Sequence, residues 1–121
     1  MYKRNIDEII ANLIENNYLN EERFAIQYAG GKFRINKWGK KKIQYELQQK
    51  SVNAYCIKKA LKDLDEQDYN NTLQKLALKK WNSLTTEPPP SRAVKTHTYL
   101  LRKGFEPALV SEVISQIKSG S

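Results

Sequence analysis

Residues 42–61 have the sequence KIQYELQQKSVNAYCIKKAL, and residues 95–114 have the sequence KTHTYLLRKGFEPALVSEVI. The two stretches align without a gap at an offset of 53 residues, and apolar residues recur at matching positions. Each copy is typical of an amphipathic helix, a tight turn with an apolar residue (Val52 or Phe105) and a second helix. Residues 9–28 form a looser third copy with one extra residue at the turn. Such a repeat indicates stacked helical units that bury their faces against one another.

This repeat, together with the lack of any convincing two-residue alternation, predicts an all-α fold without a sheet. We expect tandem repeats of three-helix units, similar to helix-turn-helix motifs, in an elongated and curved arrangement. The predicted units are residues 1–36 (two helices and a basic connection), residues 37–86 (with a long third helix) and residues 87–121 (a partial repeat after a proline-rich linker).

Capping residues, glycines and prolines predict where the helices begin and end. Asn20 is expected to be the N-cap of a second helix, which Gly30-Gly31 ends or loosens. The apolar face of that helix should comprise Phe24, Ala25 and Tyr28. Pro88–Pro90 predicts an extended linker, after which Ser91 caps a further helix that ends at Gly104. The other predicted helices are residues 6–14, Lys40–Lys50, a short helix capped by Asn53, a long helix from Asp65 to about Leu84, and one with Pro107 at its first position.

Positive charge is concentrated in the middle of the chain. The 121 residues include 21 Lys+Arg and 13 Asp+Glu, a net charge of +8. Residues 30–62 alone hold ten basic side chains and one acidic side chain, a net charge of +9. This charge is either a solvated helix face or a binding surface for nucleic acid or an acidic protein. The aromatic residues among the lysines (Phe33, Trp38 and Tyr45) can stack on bases, anchor a protein interface or belong to the core.

The candidate binding residues surround the start of the helix that begins at Lys40. Three consecutive lysines at a helix N-terminus oppose the helix dipole, which favours a role in binding a partner. The candidate set is Lys32, Arg34, Lys37, Trp38, Lys40, Lys41 and Lys42. Arg102 and Lys103 are a second candidate because they recur at the Lys50 position of the repeat, although stabilisation of a helix C-terminus also explains them.

The residue types needed for catalysis or for metal binding are scarce. The chain has no glycine-rich phosphate loop, and its single cysteine (Cys56) and single histidine (His97) cannot form a disulfide or a zinc site by themselves. Acidic residues at one helix start are explained as caps and dipole partners; they are Asp63, Asp65, Glu66 and Asp68. We therefore predict a protein that is not an enzyme and that needs no metal or cofactor.

No apolar run is long enough to span a bilayer, and the N-terminal residues do not form a signal-peptide core. Together with the net positive charge, this predicts a cytoplasmic protein with an anionic partner and no membrane association.

Three stretches of the chain, in this order, carry a family resemblance: YLNEERFA at 18–25, KWGKKKIQYELQQK at 37–50 and YLLRKGF at 99–105. They resemble the motifs GYLDD-x-x-F-A, K-G-x-G-x-x-x-I-x-x-E-L-x-x-K-G and F-L-x-R-R-G-F of the RecX family, bacterial regulators of the RecA recombinase. The resemblance covers residues from about 9 to 117. Ser51 and Asn17 stand where those motifs have glycine, and Asn20-Glu21 replaces an acidic pair. The N-terminal repeat common in the family is expected to be absent or shortened here.

The resemblance implies a modulator that contacts the RecA recombinase filament on DNA and limits strand exchange, ATP hydrolysis and repressor co-cleavage. From the basic residues we expect contact with single-stranded or duplex DNA, and we expect the chain to be a monomer. The alternative is a free-standing helix-turn-helix module that reads duplex DNA, with base-reading glutamines on the Lys40–Lys50 helix; these are Gln44, Gln48 and Gln49.

Overall fold

In the computed structural model of this chain, Asn17 and residues 19–120 are described. These residues form helices joined by short turns and contain no strand, which confirms the predicted all-α fold for this part of the chain. Helix α1 includes residues 19–31 and continues into a π-helical turn, Lys32–Asn36. The helices that follow are α2 (Lys40–Gln49), α3 (Ala54–Asp63), α4 (Glu66–Ser83), α5 (Pro89–Arg102) and α6 (Pro107–Gly120). The helix predicted at residues 6–14 lies outside the described residues.

Several predicted caps are confirmed. The side chain of Asn53 accepts a hydrogen bond from the Tyr55 amide at 2.8 Å, and that of Asp65 accepts one from the Asp68 amide at 2.9 Å. Pro107 is the first residue of α6, where a missing N–H has no cost. These local signals act through bonds to the next two or three residues, so the sequence carries them directly.

The predictions for α1 need correction. Asn20 is itself helical, so it is not an N-cap, because a capping preference of about 1 kcal/mol does not end a helix that its neighbours continue. The chain passes through Gly30-Gly31 in helical conformation and loosens only afterwards, into the π turn. Phe24 is 44% exposed, since the small Ala25 and Ala29 occupy the core side of α1.

The proline segment also needs correction. Pro88 is the N-cap of α5, while Pro89 and Pro90 are its first two residues, so there is no extended linker at Pro88–Pro90. Proline suits the first turn of a helix because its φ is already helical and no N–H is required there. Ser91 lies inside the helix, and its hydroxyl donates to the Glu87 carboxylate at 3.0 Å.

The two copies of the repeat have the same turn. The amide of Val52 donates to Leu47 O at 3.1 Å, and the amide of Phe105, 53 residues later, donates to Leu100 O at 3.2 Å. The preceding residues, Ser51 (φ 61°) and Gly104 (φ 100°), are both left-handed. The α2–α3 and α5–α6 pairs are therefore equivalent helix-turn-helix units.

A single hydrophobic core runs through all six helices. Its aromatic centre joins the two halves of the chain: the Phe33 and Tyr69 ring centroids are 5.6 Å apart, and those of Tyr69 and Phe105 are 5.3 Å apart. The remaining buried members are aliphatic or small, with Ile43 and Leu47 on α2 and Leu100 on α5 completely inaccessible to solvent. The division at 36/37 and 86/87 stays a prediction, as does the elongated shape. Over residues 19–120 no helix combines the length and the apolar character that crossing a membrane requires.

Candidate nucleic-acid interface

The N-terminus of α2 packs directly against the α5–α6 turn. The amide of Gly39 donates to Lys103 O at 2.7 Å, and the amide of Lys41 donates to Gly104 O at 2.9 Å. A Cβ on Gly39 would lie 2.3 Å from the main chain of Gly104 and Phe105, and a Cβ on Gly104 would lie 2.3 Å from Lys42 Cβ. Only glycine permits this approach. We call this contact the junction (Asn36–Lys42 against Lys103–Glu106).

Tyr69 of α4 completes the junction from inside. Its ring is buried, its hydroxyl accepts a hydrogen bond from the Lys40 amide at 2.8 Å, and it donates to the carboxylate of Glu106. Burial, then the bond to Glu106, raises the pKa of Tyr69, so the hydroxyl remains a donor near neutral pH. The start of α2 and the start of α6 are thus tied to the same side chain.

On the outer side of the junction, lysines lie over aromatic rings. The ammonium of Lys32 lies 5.0 Å from the centroid of the Trp38 ring, and that of Lys42 lies 4.6 Å from it. Lys32 and Lys50 each place their ammonium 5.5 Å from the Tyr28 ring centroid. These distances are within the range of cation–π attraction. We call these five residues the Trp38 surface.

Three lysines converge beside this surface from both sides of the junction: Lys37, Lys42 and Lys103. Burial, with Lys42 and Lys37 close by, lowers the pKa of the Lys103 ammonium. Burial is the main cause of this lowered pKa and the two neighbouring lysines are the smaller one; three neighbouring lysines suit an anionic ligand. Lys103, from the second candidate set, therefore lies close to Lys37 and Lys42 of the first set.

The other predicted residues are placed differently. Arg34 is exposed and its guanidinium folds back over Gly30, while Lys41 is exposed at the first turn of α2. The ammonium of Lys40 lies 4.8 Å from the Tyr69 ring centroid, so it has a partner within the fold. Arg102 lines a groove of about 300 Å³ with Lys80, Lys95 and Tyr99.

Sequence reasoning did not select Tyr28, Lys50 or Tyr69 for the site. The apolar pattern places Tyr28 only on the apolar face of its helix, although the spacing of Tyr28 and Lys32 by one helical turn predicts a contact between them. Nothing in the sequence links Lys50 to Tyr28 or Tyr69 to Lys40. Among the described residues, no group of His, Cys, Asp and Glu is arranged to hold a metal ion.

Comparison with known proteins matches both halves of the fold. The family model of the RecX second three-helix domain matches residues 20–61, which contain α1–α3 up to Leu61. The model of the RecX third three-helix domain matches residues 66–114, which span α4, α5 and most of α6. Together the two matches cover about three quarters of the chain.

This chain belongs to the RecX family.

Curated relatives support the same assignment. Proteins named "Regulatory protein RecX" are 30% identical over 118 residues in Clostridium acetobutylicum and 32% identical over 114 residues in Clostridium perfringens strain 13. The alignments cover 94% and 93% of this chain, and 54% and 53% of those relatives. The RecX of Oceanobacillus iheyensis is 28% identical over 115 residues, 95% of this chain and 42% of the relative. The chain spans about half the length of the curated relatives it matches. No solved structure matches it.

The RecX motifs meet at the junction. Gly39, from the stretch at 37–50, and Lys103-Gly104, from the stretch at 99–105, are hydrogen-bonded neighbours. In this RecX-family chain the motifs far apart in sequence therefore build one local structure.

Proposed function

We propose that this RecX-family chain is a regulatory protein that binds the DNA-bound filament of a RecA-type recombinase and restrains its strand exchange, ATP hydrolysis and co-protease activity. It acts as a binding protein without catalysis, metal or cofactor, and it binds as a monomer. The observation that carries this proposal is the Trp38 surface, a cationic and aromatic face that lies beside the junction of two RecX motifs.

The charge of this face is available to a partner. Lys32, Lys42 and Lys50 contact aromatic rings, and none of them pairs with a carboxylate among the described residues. Cation–π contacts leave the positive charge in place, so these ammonium groups can still contact phosphates. Trp38 is half-buried, so part of its side chain is accessible to a base or to a partner protein.

The test is the ATPase activity of a RecA-type recombinase on single-stranded DNA with this protein titrated in. We expect steady-state hydrolysis to fall as protein is added. The double variant Lys32→Glu/Lys42→Glu should reach the same inhibition only at a concentration at least about 10-fold higher, because two attractive charges become repulsive.

The matched control is Lys58→Glu/Lys79→Glu, which makes the same charge change at two exposed lysines outside the Trp38 surface. This control should inhibit like the unaltered chain. Unchanged ATPase activity at saturating protein would contradict the proposal. Sequence-selective binding of short duplexes without recombinase would favour the helix-turn-helix alternative, in which the exposed Gln44, Gln48 and Gln49 read bases.

A further inference from the structure

The junction lysines form a cation cluster that no described carboxylate neutralises. Lys103 donates to Asn36 O at 2.7 Å and Lys37 donates to Arg34 O at 2.8 Å. The ammonium of Lys42 lies over the Trp38 ring. Each ammonium has three N–H donors, and the two carbonyls and the ring occupy only a few of them. Most of these donors therefore have no acceptor in the described chain.

Contacts of the main chain bring these three lysines close together. Lys103 holds Gly39 through its carbonyl and Asn36 through its ammonium, so it lies against the segment that carries Lys37. The Lys42 side chain begins at the same place, because Lys42 Cβ lies only 2.3 Å from the point that a Cβ on Gly104 would occupy. The cluster therefore combines Lys37 and Lys42 of the first three-helix unit with Lys103 of the second.

Lys37 has a conformation that disfavours a side chain. Its φ is 59°, in the left-handed region that suits glycine, and its amide donates to Phe33 O at 3.0 Å. A lysine there carries a conformational cost that glycine would not. The lysine side chain donates one hydrogen bond, to Arg34 O, and forms no ion pair in the described part of the chain, so its charge is open to a ligand.

The N-terminus of α2 does not hold the anion itself. The amides of Gly39 and Lys41 donate to the carbonyls of Lys103 and Gly104, and the amide of Lys40 donates to Tyr69. With these donors occupied, an anion at this place would be held by the ammonium groups.

We propose that Lys37, Lys42 and Lys103 form one site for a phosphodiester of a nucleic-acid strand, and that its occupancy locks the junction between the two three-helix units. The nature of the strand rests on the proposed function. Because the phosphate contacts both sides of the junction, its binding free energy opposes opening of the junction.

The first experiment measures binding without recombinase, using a fluorescent short oligodeoxythymidine and a salt series. Lys42→Gln and Lys103→Gln should each weaken binding by about 5- to 10-fold. Each should also reduce the slope of log K against log salt by about 0.7 for every phosphate that the protein no longer neutralises. Lys79→Gln, an exposed lysine on α4, is the control and should change neither quantity.

Lys37→Gly separates binding from folding. The substitution relieves the left-handed lysine, so we expect the melting temperature to rise by about 3–5 °C while oligonucleotide binding weakens by about 5- to 10-fold. A more stable chain that binds worse cannot be explained by unfolding.

The second experiment tests the lock through hydrogen exchange of the Gly39 and Lys41 amides, which donate across the junction. With oligodeoxythymidine at about 10 times its Kd, exchange of these amides should slow by about 10-fold. In Lys103→Gln, at the same oligonucleotide concentration, most of this slowing should disappear.

Full affinity and an unchanged salt slope in Lys42→Gln and Lys103→Gln would overturn the site. Binding that leaves Gly39 and Lys41 exchange unchanged would overturn the lock. If both effects are found while the recombinase ATPase is unaffected, the inference stands and the proposed function fails. If the chain inhibits the ATPase while Lys42→Gln and Lys103→Gln bind the oligonucleotide with the affinity and salt slope of the parent chain, the proposed function stands and the inference fails.

Discussion

Ser51 occupies a position that the turn reserves for a left-handed residue. Its φ is 61°, and its amide donates to Gln48 O at 3.0 Å; Gly104, its counterpart in the second copy, has φ 100° and donates to Leu101 O at 3.0 Å. A non-glycine residue in this conformation costs about 1 kcal/mol. The serine that departs from the RecX glycine therefore weakens the α2–α3 turn without changing its shape.

Ser51→Gly should raise the free energy of unfolding by about 0.5–1 kcal/mol, since relief of the left-handed serine outweighs the greater flexibility of glycine in the unfolded chain. Urea denaturation measures the change. Ser115→Gly, in the exposed middle of α6, serves as the comparison and should lower stability by about 0.5 kcal/mol. A loss of stability in Ser51→Gly would show that the turn does not carry this strain.

Helix α2 has an electrostatically unfavourable start. Its first turn contains Lys40, Lys41 and Lys42, no acidic residue and no side-chain cap, whereas α4 begins with a capping Asp65 and two acidic residues. Cations oppose the positive end of the helix dipole. Main-chain bonds to the α5–α6 turn satisfy the amides that a cap would otherwise take, so α2 depends on its neighbours for its N-terminus.

Lys41→Glu should therefore stabilise the fold by about 0.5 kcal/mol at low salt, and this gain should fade in about 1 M salt as screening increases. The same variant should bind the oligonucleotide less tightly. Chemical denaturation by urea with and without added salt measures the stability. Lys79→Glu, toward the C-terminal end of α4, should not stabilise the chain, because there the dipole favours a cation. Equal stabilisation by both changes would mean that net charge alone is responsible.

The two three-helix units are connected through one buried hydroxyl, that of Tyr69. Tyr69 joins Phe33 and Phe105 through its ring, and joins Lys40 and Glu106 through its oxygen. Without the oxygen, the Lys40 amide and the Glu106 carboxylate lose a common partner in a partly buried place. We therefore regard Tyr69 as the residue that positions the junction.

Tyr69→Phe should lower the free energy of unfolding by about 2 kcal/mol, the cost of leaving polar groups unsatisfied while the ring is retained. Tyr45→Phe, which alters an exposed tyrosine on α2, should cost less than about 0.5 kcal/mol. The pKa of Tyr69 is raised, so the folded chain keeps this proton when an unfolded tyrosine ionises near pH 10. Stability from Tyr69 is present below pH 10 and is lost as pH rises further, so the difference between the parent chain and Tyr69→Phe should shrink above pH 10. Equal stability of the two chains at neutral pH would contradict this role.

Much of the architecture was predictable because it depends on neighbours in the sequence. The helical periodicity, the Asn53 and Asp65 caps, Pro107 at the start of α6 and the repeat at an offset of 53 all involve residues within one or two helical turns, or a pattern that recurs. Where local signals conflict, as at Pro88–Pro90 and Asn20, a preference of about 1 kcal/mol is too small to decide between a cap and a helical position.

Helix propensity, apolar spacing and charge are properties of short stretches, so the helices, the repeat and the basic character of residues 30–62 could be predicted from the sequence. Which charges act together became apparent only in the folded chain. Lys103 joins Lys37 and Lys42 because Gly39 and Gly104 allow two main-chain segments to touch, and Lys40 turns to Tyr69 instead. The physical reason is that a close contact between distant residues depends on the packing of the whole core, in which Tyr69 holds both halves, and no short stretch of sequence encodes it.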